Sequence, residues 1–334
     1  MTDATDAGHA PPEAAGDALE PNVGEGRVPG VSDAKIRRYR IFSFDFDSRP
    51  HDLTNRPKPD WSVDARTKWY EDHADLVASI KAQYGEDRLD QKIEDFAAFG
   101  AKPFSIIAHH NKLFDHVRTA FVSGAYYAAL TGACVLGERI LNHLMLDLRD
   151  NFKATPEYKN VYRKSSFDKW SVAIDTLRAW NVLLPAVADE FRDLEQLRNR
   201  SIHFNADTAN RLRDDALAAV GHLSKIIAEQ FCSFGLQPWF IEGTLGAGFI
   251  KQEWESDPFV AHYYCRNRLH VGPWHSVDFG ARGFEFIDHP DYGIFGIEAL
   301  TDAQFKDLFN DANDDVRARR VPDAEPESAG DLIT

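Results

Sequence analysis

A chain of 334 residues with 43% hydrophobic and 27% charged side chains can bury a core in one large domain or two small ones, and its formal net charge of −15 excludes a protein that coats nucleic acid without local specificity. The absence of any run of about 18 apolar residues excludes a membrane-spanning helix. Three cysteines (Cys134, Cys232, Cys265) are too few for a disulfide framework, and no basic-then-apolar stretch marks a secretory signal, so a reducing, cytoplasmic setting is expected.

Residues 1–35 carry seven acids against Arg27 and Lys35 and lack aromatic side chains, so this acidic tail is expected to be disordered, as is the tail 321–334. Residues 36–103 form a flanking segment. Alternation from Tyr39 to Asp47 predicts a strand with Phe42, Phe44 and Phe46 on its apolar face. Asp45 and Asp47 share the other face, either as solvated carboxylates or as an Asp-x-Asp pair able to hold Mg²⁺. Asp52 to Pro59 is a predicted loop, and helices are predicted over 61–84 and 89–99. Pro103 is expected to open a longer helix carrying His109, His110 and His116. Those histidines suit packing or surface roles, because no third ligand accompanies the pair that shares a face.

Residues 104–234 read as an all-helical bundle with mostly short connections. A regular helix runs from Ala125 to Asn151 with Tyr127, Leu130, Cys134, Ile140, Leu141, Leu144 and Leu148 at helical spacing. Its small residues (Ala128, Ala129, Gly132, Ala133, Gly137) permit close helix approach. Glu138 on this helix either faces Arg198 or stands exposed. Ser165-Ser166-Phe167-Asp168 resembles a capping box before the helix that carries Trp170, Ile174 and Leu177. Pro185 opens the helix of Val187, Phe191, Leu194 and Leu197. A turn with capping residues (Asn205-Ala206-Asp207-Thr208) precedes the closing helix, Leu212 to Phe231. From 235 to 320 aromatics and glycines predominate, with short strands predicted at 239–241, 249–250, 284–286 and 293–297, pairing with the strand near 39–47. A last helix, Thr301 to Asp314, is capped by Thr301. The fold class is therefore mainly α: a helical bundle with a small β-containing layer built from the N- and C-terminal flanks.

The chemistry concentrates at Arg198-Asn199-Arg200-Ser201-Ile202-His203. Arg198 offers a planar fork of donors to a phosphate, His203 a proton acceptor near neutral pH, and Asn199, Arg200 and Ser201 further hydrogen bonds. On a straight helix Arg198 and His203 stand about 140° apart, so they converge only if the helix ends near Ser201 or if a second copy of the chain completes the site. The local cations Arg192, Arg198, Arg200, His203, Arg211 and Arg213 are interrupted by Asp193, Glu195 and Asp207. A second spacing, His262-x2-Cys265-x4-His270-x4-His275, has the intervals of a CCHC zinc knuckle, but bulky residues between its members suit a packed strand better.

The motif, together with Tyr126-Tyr127-Ala128-Ala129-Leu130 leading to Glu138 and Leu141, resembles the HEPN family with its Arg-x4–6-His motif. The resemblance covers about 130 residues. It implies a HEPN-like bundle and a toxin or phage-defence endoribonuclease that works without metal or other cofactor. RNA would be the substrate, a homodimer would form a composite site, and an antitoxin or other protein would be a partner. Arg198 and His203 would be catalytic, Asn199 supporting, and the products a 2′,3′-cyclic phosphate and a 5′-hydroxyl. The alternative is a non-catalytic HEPN-like scaffold acting through a protein partner.

Overall fold

A computed structural model describes residues 35–43, 45–167, 169–202, 210–266, 268–280, 283–288 and 299–320. The two tails, the segment 293–297 and the turn 205–208 lie outside them. Strand β1 (Arg38–Ile41) is shorter than the predicted strand. The chain leaves the sheet because its next residues find partners elsewhere. Ser43 Oγ donates to the Ser105 carbonyl at 2.7 Å, and the Asp47 and Lys102 backbones bridge. Residues 103–107, which follow this bridge, are not helical, so Pro103 does not open a helix. Helix α4 begins only at Ala108, after Ile106 N–H has bonded to the Phe231 carbonyl at 3.0 Å.

Ahead of α4 lie α1 (Arg49–Thr54), which the loop-rich composition concealed although Pro50 suits a first turn, then α2 (Val63–Tyr84) and α3 (Leu89–Ala98). Ser62 caps α2 by accepting from Ala65 N–H at 3.1 Å. The bundle follows: α4 (Ala108–Val122), α5 (Tyr126–Leu148), the small α6 (Tyr158–Val161), α7 (Trp170–Ala179), α8 (Pro185–Ile202) and α9 (Leu212–Gln230). Helix α5 packs against α4, α7, α8 and α9 and supplies the centre of the core. Close approach rests on its glycines. A Cβ on Gly137 would stand 2.7 Å from Leu194 Cδ2 and 3.0 Å from the Trp170 ring, and one on Gly132 3.0 Å from Val117. Tyr127, expected among the apolar contacts, is instead on the exposed face of α5. The Ser165-Ser166 stretch does not cap α7, whose first turn has no side-chain cap. Asn142 Oδ1 accepts from Phe167 N–H at 2.7 Å and fixes the approach, while Asp168 lies outside the described residues.

The C-terminal flank adds β2 (Gly248–Phe249), α10 (Pro258–Val260), a π-helical turn at Ala261–Cys265, β3 (Leu269–Val271), the hairpin β4 (Ser276–Gly280) and β5 (Gly283–Ile287), and α11 (Asp302–Arg320). β1 lies between β2 and β3, antiparallel to both, with Arg40 opposite Phe249 and Tyr39 opposite His270. The two flanks therefore build one small sheet, whose apolar side (Phe249, Val271) meets Phe305 and Phe309 of α11. Thr301 and Gln304 form a reciprocal cap: Thr301 Oγ1 accepts from Gln304 N–H at 3.2 Å, and Gln304 Oε1 accepts from Thr301 N–H at 3.0 Å. Arg38, wholly buried, ties β1 to this helix through Asp302 at 2.6 Å and the Leu300 carbonyl at 2.7 Å. Tyr264, also buried, donates to the Gln230 carbonyl at 2.9 Å and so fastens the flank to the end of α9. None of the helices among the described residues is long and apolar enough to cross a membrane.

Candidate functional site

Helix α8 buries Val187, Ala188, Phe191, Leu194 and Leu197 along one stripe. Arg198, one residue past Leu197, is turned about 100° from it and comes to the edge of the contact with α5. Glu138 stands across from it, and the two meet in an ion pair of 3.1 Å with side chains 28% and 30% exposed. The indole of Trp170, at the start of α7, donates from Nε1 to the same Glu138 oxygen at 3.1 Å, and the Arg198 guanidinium lies 5.7 Å from the Trp170 ring centroid. Three helices thus fix one carboxylate and one guanidinium at a partly open surface. Cys134, a turn before Glu138, lies beneath them. Burial pushes its thiol up to about 12, with Arg198 acting weakly the other way, so it is a packing group rather than a nucleophile. Trp170 was legible only as a core residue. The signal for its second role is that a buried indole N–H needs an acceptor.

The rest of the motif divides. Asn199 faces solvent, whereas Ser201 lies on the stripe of Leu194 and Leu197 and is buried, so its hydroxyl is not presented to a ligand in solution. Arg200 pairs with the buried Asp215 of α9 at 2.7 Å. Helix α8 remains helical to Ile202, and His203 lies outside the described residues. Of the wider cationic cluster, Arg192 is paired with Asp175 and Asp189, and Arg213 with Asp95 and Glu94. The arginines that looked like a basic patch in the sequence mostly hold helices together.

No family model, curated protein or solved structure matches this chain.

The other candidates disperse. Lys102 takes Asp45, and Arg49 takes Asp47 at 2.9 Å, so the expected pair of carboxylates on one strand face is split between two cations. In the His262–His275 series His262 faces Asp147 at 3.5 Å, Cys265 is buried with its thiol pushed up to about 12, and the His270 ring lies tilted against that of Tyr39 with centroids 4.5 Å apart. His275 donates from Nδ1 to the Gly272 carbonyl at 2.6 Å, and its Nε2 accepts from the Arg40 guanidinium. The residues between them fold into a π turn and a strand, which separates the ring nitrogens. Among the described residues no three His, Cys, Asp or Glu side chains converge on one metal position.

His109 meets Arg139 at 3.2 Å and His116 is exposed, while His110 is buried with Nε2 3.0 Å from His143 Nδ1. Burial first, then His143, His109 and Arg139, push the His110 pKa down to about 4. An unfolded histidine binds its proton near about 6.5. The unfolded chain therefore holds one more proton than the folded one between those values. The stabilisation is whole above about pH 6.5 and is lost as pH falls towards 4. His275, pushed down to about 4 by burial and Arg40, acts with the same sign; Glu255, raised to about 7 by burial, acts with the opposite one. His110→Gln is expected to flatten the acid-side loss of unfolding free energy relative to wild type. Urea unfolding at a series of pH values measures this, and an unchanged slope would show that His110 titrates normally.

Proposed function

We propose that the protein is a metal-independent endoribonuclease of HEPN type, acting in the cytoplasm as a toxin or phage-defence effector. The observation that supports this is the seat of Arg198. It stands in the last turns of α8, partly open, aimed by Glu138 and the face of Trp170, within a bundle of four long helices. A partly exposed ion pair of this kind contributes about 1 kcal/mol or less. A phosphate oxygen can therefore replace Glu138 at the guanidinium at small cost, and Glu138 serves to position Arg198 between turnovers. Arg198 then stabilises charge developing on the scissile phosphate. His203 takes the ribose 2′-hydroxyl proton or protonates the leaving 5′-oxygen, giving a 2′,3′-cyclic phosphate and a 5′-hydroxyl. Asn199 adds a hydrogen bond, and a second copy of the chain supplies the partner motif of the composite site.

A second function has its own support. Arg192, Arg200 and Arg213 are each neutralised within the chain, and the protein as a whole is acidic, which suits a non-catalytic scaffold that binds another protein. Incubating wild type and His203→Ala with a mixed RNA pool in EDTA separates the two. The ribonuclease assignment requires cleavage by wild type alone, with cyclic-phosphate ends. Equal cleavage by both proteins removes His203 from the chemistry. No cleavage by either, with a protein partner retained by both, selects the scaffold.

A further inference from the structure

Away from Arg198, the N-terminal flank, the segment before α4 and the stretch after the π turn border an open cleft of about 500 Å³ lined by Phe42, Ser43, Asp45, Ser105, Ile106, Asn111 and Arg268. We infer that this cleft binds a small, flat organic anion that carries an N–H or O–H donor.

Two buried polar atoms in it have no partner. Asn111 is 1% exposed; its Nδ2 donates to the Ser105 carbonyl at 3.2 Å, which settles the orientation of the amide, and its Oδ1 is left without a donor. Arg268 Nε is likewise buried and unpartnered, and its Nη2 reaches only the Ile106 carbonyl, at 3.5 Å. Buried polar groups are nearly always paired, so two orphans lining one cavity call for a ligand that supplies a donor to one and an acceptor to the other. Ser43 does not compete for that ligand, because its hydroxyl already donates to the Ser105 carbonyl and accepts from the Ser105 N–H.

The electrostatics set the sign of the ligand. No carboxylate among the described residues pairs with Arg268. Asp45, the carboxylate in the lining, is held by Lys102, which also holds Asp115 at 2.7 Å. Arg40, a second guanidinium without an acid partner among the described residues, lies 4.6 Å from the Phe42 ring centroid, on the same side of the chain. Asn111 stands in the first turn of α4, whose positive end has no capping side chain. Phe42 and Ile106 supply the apolar walls, and the volume suits a small organic molecule rather than a bare ion. The anionic head goes to Arg268, the donor to Asn111 Oδ1 and the ring to Phe42. A carboxylate or a phosphate head satisfies this geometry equally.

Calorimetric titration of the full-length protein with 4-hydroxybenzoate and with adenosine 5′-monophosphate tests both heads. One-to-one binding of at least one probe is expected, weakened about tenfold or more by Arg268→Gln, which removes the charge and keeps the length, and also weakened by Asn111→Leu. The probe that binds identifies the head group. If either variant fails to melt like wild type, Phe42→Leu takes its place, with the same loss of binding expected. No heat from either probe at millimolar concentration, or binding unchanged in the well-folded variants, overturns the assignment.

Discussion

Trp170→Ala is expected to lower the free energy of unfolding by about 3–5 kcal/mol, the range for removing a large aromatic from a core. Trp170 is wholly buried and packs edge-on against Phe191, with ring centroids 6.4 Å apart. Its ring also lies against Gly137, where a Cβ would stand only 3.0 Å away, so α5 and α7 are held at a separation that this indole fills. Truncation leaves a void that α5 cannot close, because Leu194 blocks it from the other side. Urea denaturation reads the effect as a lower midpoint at unchanged slope. Trp170→Phe divides the role of the side chain. It keeps most of the ring and removes the N–H that holds Glu138, at a cost of about 1 kcal/mol. If Glu138 positions Arg198 in RNA cleavage, Trp170→Phe should also lose cleavage beyond what its small loss of stability accounts for. Cleavage equal to wild type would leave Glu138 without a positioning role.

What could be seen in the sequence follows from how local each cause is. The periodicity of α5 and α8 announced both helices, and Pro185 marked the start of α8, since those signals lie within a few residues. The pairing of β1 with the segment near 249 was legible from alternation and aromatic clusters at both ends of the chain, whereas β3 was not foreseen and the expected strand at 284–286 pairs instead with β4. Glu138 was visible as a misfit, one carboxylate in an apolar helix, although which way it faced required α8 to be docked. The errors come from long-range partners. The strand after Ile41 stops because Asp47 bridges to Lys102, and α4 starts late for the same reason. The Ser165-Ser166 stretch does not cap α7, and the segment before that helix is held instead by Asn142, more than twenty residues upstream. The cationic cluster dissolved because Arg213 finds Asp95 on α3 and Arg200 finds Asp215 on α9; no window of local sequence contains those pairs. Ser201 looked available in the motif, yet its helical phase puts it on the stripe of Leu194 and Leu197.

Asp95→Ala is the second substitution expected to act strongly, again at about 3–5 kcal/mol, because it breaks a buried charge network from the centre. Asp95 is fully buried on α3 and joins three elements. Its carboxylate accepts from Tyr126 Oη at 2.8 Å at the start of α5, from Arg213 Nε at 2.9 Å in the first turn of α9, and from Gln91 on its own helix. The Asp95 charge has been taken out of water and is sustained by those donors. Removing it leaves the Tyr126 hydroxyl without its acceptor and the Gln91 amide with Tyr126 Oη alone, at 2.8 Å, whereas Arg213, 33% exposed, can turn back to solvent and to Glu94. That asymmetry predicts the double-mutant cycle. Arg213→Met alone is expected to be severe, because it leaves the buried carboxylate without its cation. Adding Arg213→Met to Asp95→Ala is expected to cost little more, so the two losses should fall short of additivity by more than about 1 kcal/mol. Additive losses in urea unfolding would mean that Asp95 is stabilised by its neutral donors and that Arg213 is a surface decoration. A coupled loss would make this carboxylate the tie between the N-terminal flank and the bundle, which explains why α3 carries a fully buried acid.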